Sequence, residues 1–197
     1  MKFSDIFVWR IKKATIENDR SFQEFSDYVQ NFDYSQVSDE DYLLEYAKDK
    51  YSETKQTAEY VDDKADALIK YLGLGTGGVG AFLGLSFGEI VCLPQIISLC
   101  IGILGGFIWA AAVIMALQIR NPAEMPFPSK LDVLINVMKE TKSKRITKIA
   151  TMLAYQKASI GQSVVGRIKG ERLQLAFTLT MLAFILFLCS FFLNFVF

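Results

Sequence analysis

Histidine is absent from the 197 residues, which removes the side chain that most often serves as general base or metal ligand near neutral pH. Cysteine occurs three times, at Cys92, Cys100 and Cys189, each inside an apolar run; neither a disulfide framework nor a thiolate zinc site is expected. No glycine-rich phosphate loop of the P-loop kind is present. The start, MKFSDIFVWRIKKATIE, has charges every few residues and no apolar core of signal-peptide length, so no cleaved targeting segment is expected. Asp62, Asp63 and Asp66 cluster along one predicted helix, but no His, Cys or metal-ligand spacing accompanies them, and solvated helix surface explains them better. With no catalytic constellation, no enzyme, cofactor or metal is expected.

Net charge is also lacking, with 21 Lys and Arg against 21 Asp and Glu. The balance hides an asymmetry: residues 1–70 hold ten basic against sixteen acidic side chains, and 120–172 hold eleven against four. The two polar parts are of opposite sign, which makes attraction between them an alternative to any external partner.

What the chain has in abundance is apolar sequence. From Tyr71 to Ile119 the only charged side chain is Glu89, and Pro94 divides the run. A helix rises about 1.5 Å per residue and a hydrocarbon core is about 30 Å thick, so either half is long enough to cross it. A helical hairpin over 71–119 is expected, with Leu93-Pro94-Gln95 as its tip. A third span is expected over Leu173–Phe197, which has seven phenylalanines and no charge. The fold class predicted is an all-α membrane protein, three transmembrane helices continuous with a cytosolic helical bundle. The divisions are 1–70 cytosolic helical, 71–119 hairpin, 120–172 cytosolic basic helical and 173–197 third span. Arg120 and the cations from Lys139 to Arg172 flank membrane ends, whereas the tip carries none. By the positive-inside rule the protein is expected in the inner membrane with its N-terminus cytoplasmic and its C-terminus outside.

Small residues repeat every four positions in the hairpin: Gly80, Gly84 and Gly88 in the first half, then Gly102, Gly106 and Ala110, with Ala112 and Ala116, in the second. Such faces let helix backbones approach closely in lipid. They serve either the two halves of the hairpin or further copies of the chain. Oligomerisation is expected here, because two glycine-rich helices and one bulky one cannot easily use every such face within one protomer.

In the polar parts, Phe3, Ile6, Phe7, Ile11 and Ala14 have helical spacing over residues 4–17 beside Arg10, Lys12 and Lys13. Ser21-x-x-Glu24 reads as a capping box before Phe22, Phe25, Val29 and Phe32, and Ser38-x-x-Asp41 as a second start signal. Then Leu44, Ala47, Tyr51, Thr54, Ala58, Val61, Ala65, Leu68 and Leu72 alternate by three and four residues, a seam for a long helix packed along a partner. Three of the four prolines fall in Arg120–Pro128, a loop. Ser129-x-x-Asp132 opens a helix with Leu131, Leu134, Ile135 and Met138 on one side. From about Ser143 another carries Ile146, Ile149, Leu153, Ile160 and Val164 and leads into the third span.

Two features invite a functional reading. Glu89 is the one ionisable group embedded in an apolar run, either a solvated residue near the outer interface or, in an assembly, a pore-mouth ring favouring cations. Lys139, Lys142, Lys144, Arg145 and Lys148 place five cations in ten residues. They suit a nucleotide or short single-stranded oligonucleotide, pairing with the acidic 39–66 helix, or anionic lipid headgroups.

The layout resembles small membrane effectors of bacterial anti-phage systems, namely effectors of cyclic-nucleotide immunity and Hailong-type channel effectors. What carries the resemblance is a long cytosolic helix ending in Asp-Lys-Ala-Asp-Ala-Leu (Asp63–Leu68), a short-looped hairpin and a return helix running into a further span. It implies a homo-oligomeric channel in the lipid bilayer, gated by a nucleotide-derived signal and depolarising the membrane. The other reading of the residues is a membrane-anchored scaffold that recruits a partner without conducting.

Overall fold

The computed structural model describes residues 11–33, 35, 37–86, 93–121, 123, 139 and 143–196. The described chain is helical, with no strand: α1 (Lys13–Glu17), α2 (Arg20–Gln30), α3 (Glu40–Ser86), α4 (Leu93–Arg120) and α5 (Lys144–Val196). It forms two compact units, one from residues within 8–61 and 122–169, the other from residues within 62–121 and 170–197. α3 and α5 are each unbroken and contribute to both. These boundaries differ from the compositional divisions at 70, 119 and 172. The reason is that apolar seam positions such as Ala65 and Leu68 precede the end of the charged sequence.

The helix starts are set by aspartates. Asp19 Oδ1 accepts from the Ser21 backbone N–H at 3.1 Å, and Asp39 Oδ1 accepts from the Tyr42 N–H at 3.0 Å. The expected caps Ser21 and Ser38 are corrected to these neighbours. A carboxylate is the stronger acceptor for an orphan helix N–H, and Glu24 pairs with Arg20 at 2.7 Å instead of closing a capping box. In α1 the buried side chain is Ile16, with Ile11 buried ahead of the helix and Ala14 exposed. The expected 11–14 spacing fails because the helix begins only at Lys13. The positions from Phe3 to Arg10, like the expected helix bearing Leu131, Leu134, Ile135 and Met138, lie outside the described residues.

In the first unit α2, the first part of α3 and the first part of α5 share a core of Phe25, Val37, Ala47, Ile149, Met152 and Leu153. A second cluster joins Ile11, Ile16 and Phe22 to Val164 and Val165. Every predicted seam position of α3 is withdrawn from solvent, with Ala47, Ala58, Ala65, Leu68 and Leu72 buried and the others half-buried. Asp41 meets Lys148, the rings of Tyr51 and Tyr155 lie 5.7 Å apart, and Thr54 Oγ1 lies 3.3 Å from Ser159 Oγ. Residue numbers rise together along both helices, so α3 and α5 run parallel here.

The second unit packs Leu68 and Leu72 of α3, Ala112, Met115 and Ala116 of α4 and Ala176 of α5. Trp109 Nε1 donates to Thr76 Oγ1 at 3.4 Å, and Arg120 Nε lies 3.3 Å from Asp66 Oδ1 as an ion pair without hydrogen-bond alignment. Those pairs make α4 antiparallel to α3. Among the described residues two helices are long and apolar enough to cross a membrane, over Gln95–Arg120 and over Lys144–Leu193, and only 22% and 17% of their most apolar stretches are buried. A core helix of a water-soluble protein would be mostly covered. The expected span Tyr71–Leu93 is helical as far as Ser86, and residues 87–92 lie outside those described. Leu93-Pro94-Gln95 is not the hairpin tip but the first turn of α4, a place where proline costs no hydrogen bond because the first helical N–H groups have no partner in the helix.

Candidate functional site

Side chains of the basic stretch are divided among different tasks. Lys148 Nζ contacts Asp41 Oδ1 at 2.6 Å and donates to Oδ2 at 2.8 Å, and that hydrogen bond, followed by the charges of Asp41 and Glu40, raises its pKa above the ordinary lysine value. Arg145 donates to the backbone carbonyl of Val37. Both therefore grip the start of α3, with Ser143 accepting from the Ile146 N–H at 3.4 Å as the cap of α5. Of the three readings of this stretch, attraction to the acidic helix accounts for Lys148. Lys139 and Lys144 are exposed, and Lys142 lies outside the described residues. The Lys148 and Asp41 side chains are 37% and 74% exposed, so the pair is of the solvated, salt-screened kind that adds little to stability.

The same unit has a cleft of about 640 Å³. Tyr28 and Phe32 close one end, with ring centroids 5.5 Å apart in an edge-on arrangement. Tyr46, Lys50 and Thr54, spaced by four residues, form the α3 wall, and Gln156, Ser159 and Ser163 form the α5 wall. Val37, Ala47 and Met152 make an apolar floor from the core cluster. Ser159 is buried, its hydroxyl 3.3 Å from that of Thr54 and 3.5 Å from the Lys50 carbonyl it donates to. Among the described residues Lys50 is the only cation on the lining, and its Nζ is 2.7 Å from Glu53; that hydrogen bond raises its pKa. Of the predicted cations, Lys139, Lys144, Arg145 and Lys148 are not on the described lining. Sequence reasoning missed it because its walls lie about a hundred residues apart; the only local signal is the repeat of polar and aromatic residues every four positions in α3.

Of the glycines expected at an oligomer interface, Gly80 and Gly84 lie in α3, Gly102 is buried and Gly106 half-buried in α4. Gly88, like the candidate pore residue Glu89, lies outside the described residues. Close approaches within the chain are found at two other glycines. A Cβ on Gly105 would stand 3.1 Å from the Phe187 ring, and one on Gly75 would overlap the Trp109 ring. With buried Ala112 and Ala116, small residues of α4 thus pack within the single chain, against α5 at Gly105, and α4 meets α3 at Gly75.

One pair of buried polar groups inside the apolar unit is matched across two helices. Ser98 and Ser190 are both fully buried and exchange hydrogen bonds between α4 and α5. The exterior is the reverse of a soluble surface: among the described residues sixteen large aliphatic, methionine or phenylalanine side chains are exposed there, including Leu74, Phe107, Met181, Phe184 and Phe192, with Tyr71 beside them. In the other unit the exposed large hydrophobic side chains among the described residues are Tyr28, Tyr42, Tyr46 and Tyr60, whose hydroxyls suit water. No protein-family model, curated protein or solved structure matches this chain.

Proposed function

We propose that the chain is a multi-pass inner-membrane protein that assembles from identical copies and passes ions under the control of a cytosolic anion, a nucleotide or short single-stranded oligonucleotide, depolarising the membrane in anti-phage defence. The observation that carries the reading is the division of surfaces. Among its described residues one unit exposes sixteen large aliphatic, methionine or phenylalanine side chains, whereas a soluble monomer keeps its large apolar patches small, while the other is charged and tyrosine-faced. Three helical segments, those of α3, α4 and α5 within that apolar unit, then enter the bilayer, with Arg120 and Arg172 at its cytoplasmic side.

The anion would act at Lys139, Lys142, Lys144, Arg145 and Lys148. Binding there competes with Asp41 for Lys148 and with the Val37 carbonyl for Arg145, and so loosens the grip of α5 on the start of α3. A ligand moves such an equilibrium only as far as it prefers one state, and an exchange of carboxylate for phosphate at Lys148 supplies that preference. Because α3 and α5 are the same two helices that enter the apolar unit, a change at their starts has a direct path to the membrane. Glu89 in several copies would ring the outer mouth and favour cations.

The test is ion flux from liposomes containing the purified protein, with and without oligonucleotide and cyclic-nucleotide probes. Flux in one ligand state only is the expected result. Tight liposomes in every condition turn the reading to a membrane-anchored scaffold, which the intramolecular use of Gly105, Ala112 and Ala116 favours.

A further inference from the structure

The cleft between α2, α3 and α5 differs in chemistry from the basic stretch, and that difference identifies what it takes. At 640 Å³ it lies within the range of small-molecule sites, roughly 300–1,000 Å³. One end is aromatic: Tyr28 and Tyr46 are 56% and 58% exposed, so that their faces are open to a ligand, and Phe32 supports Tyr28 edge-on. Rings held in this way offer faces for stacking a planar ring system. The other end is lined with neutral hydrogen-bonding groups: the Thr54 and Ser159 hydroxyls, the exposed Ser163 hydroxyl and the Gln156 amide. Thr54 donates to its own helix, to the Lys50 or Tyr51 carbonyl, so its remaining capacity is that of an acceptor, suited to a ligand hydroxyl.

Charge completes the identification. Among the described residues the lining has one cation, Lys50, and its ammonium group is already neutralised by Glu53 at 2.7 Å. A triphosphate or an oligonucleotide would bring several negative charges to a site with no net positive charge to receive them. A ligand with a flat heteroaromatic ring at one end and neutral hydroxyls at the other matches both ends of the cleft.

We propose that this cleft is a binding site for an uncharged nucleoside, with the base at Tyr28 and Tyr46 and the sugar hydroxyls toward Thr54, Ser159 and Ser163. The proposal depends on neither conduction nor polyanion binding, because the experiment reads occupancy of the cleft itself. The experiment is ligand-observed NMR and calorimetry on the full chain in nanodiscs of neutral lipid, with adenosine, guanosine, cytidine and uridine, each at about 1 mM, the weak end of small-ligand affinity, and with ATP as a charged competitor against the bound nucleoside. At least one nucleoside binds, and ATP displaces it about tenfold less well than a second neutral nucleoside does, a difference of about 1.4 kcal/mol; ATP held at the basic stretch does not enter this reading. Tyr46→Ala weakens it about fivefold or more, as loss of one stacking ring does, and Ser163→Trp, which fills the mouth, removes binding. Both positions are exposed, and unchanged melting of the variants establishes that the fold is kept; if Ser163→Trp does not fold, Tyr46→Ala decides. No binding by any of the four nucleosides, displacement of the bound nucleoside by ATP as effectively as by a neutral nucleoside, or affinity unchanged in folded Tyr46→Ala overturns the assignment.

Discussion

Ser98 and Ser190 hold each other: the hydroxyl of each donates to the backbone carbonyl of the other at 2.7 Å, with the two hydroxyl oxygens 3.0 Å apart. The pair ties α4 to α5 inside the apolar unit, and a register shift of either helix breaks both bonds at once. Hydrogen bonds between helices in lipid contribute on the order of 0.6–2 kcal/mol. Ser98→Ala and Ser190→Ala are each expected to cost about 1 kcal/mol, and the double variant less than the sum, because the second change removes bonds already broken. Unfolding of the four proteins of this cycle in mixed micelles measures the coupling.

Gly75 and Gly77 lie in the same helix and are expected to respond oppositely to alanine. A Cβ at Gly75 overlaps the Trp109 ring, whereas one at Gly77 meets nothing within 4 Å. Gly75→Ala pushes the indole away from Thr76, destabilises the unit and shifts the Trp109 emission, read in a Trp9→Phe background. Gly77→Ala leaves the emission unchanged and stabilises by about 0.5–1 kcal/mol through the gain in helix propensity. An unshifted emission in Gly75→Ala would mean that α3 and α4 do not approach at this point.

Asp19 is placed to couple stability to pH. Its carboxyl is held below the ordinary aspartate pKa, first by the Ser21 hydroxyl, then by the Ser21 N–H and Arg167, against the opposing effect of burial. A depressed folded-state pKa means that its contribution is fully present above the unfolded value near 3.8 and is lost as the pH falls through the lower folded value. Asp19→Ala should cost about 0.5–2 kcal/mol at neutral pH, the usual loss for removing a helix cap. Asp19→Asn keeps a cap but loses the Arg167 pair. Below pH 3.8 the stability of the natural protein should approach that of Asp19→Asn, which chemical denaturation at a series of pH values will reveal.

Lys148 and Asp41 provide a direct probe of control. Lys148→Glu places like charges together at the start of α3, whereas Lys148→Glu combined with Asp41→Lys restores a pair of opposite sign. If competition for Lys148 is how an anion acts, the single variant should hold liposome flux in the ligand-bound state without ligand, and the double variant should hold it in the unbound state and no longer respond. A double variant that responds normally would remove Lys148 from the control site. The lysine's raised pKa makes the pair's small contribution fully present below the unfolded value of 10.5 and lost only as pH rises through the higher folded value.

Cys100 and Cys189 are exposed on the apolar unit. If lipid covers that surface, a charged, water-soluble maleimide should fail to label them in membranes of a Cys92→Ala variant and label them readily once the protein is denatured, because the reactive thiolate needs water. Rapid labelling in intact membranes would place these faces of α4 and α5 in water.

The sequence by itself determined the helices and the faces they bury. The three-four alternation from Leu44 to Leu72 is a direct record of which side of α3 leaves solvent, since burial repeats with the helix turn whatever the partner. The apolar lengths of α4 and of the end of α5 were legible for the same local reason. Where a helix begins depended on fine competition between adjacent acceptors, so Asp19 and Asp39 displaced the serines beside them. Only the tertiary structure decided which segments meet. Lys148 had many acidic side chains to choose from, and the parallel alignment of α3 with α5 selected Asp41. That alignment also built a cleft from Tyr46, Lys50 and Thr54 on one side and Gln156, Ser159 and Ser163 on the other, residues with no common pattern along the chain. Gly75 and Gly105 became the points of close approach because Trp109 and Phe187 stand opposite them, and spacing within one helix carries no information about what faces it from another.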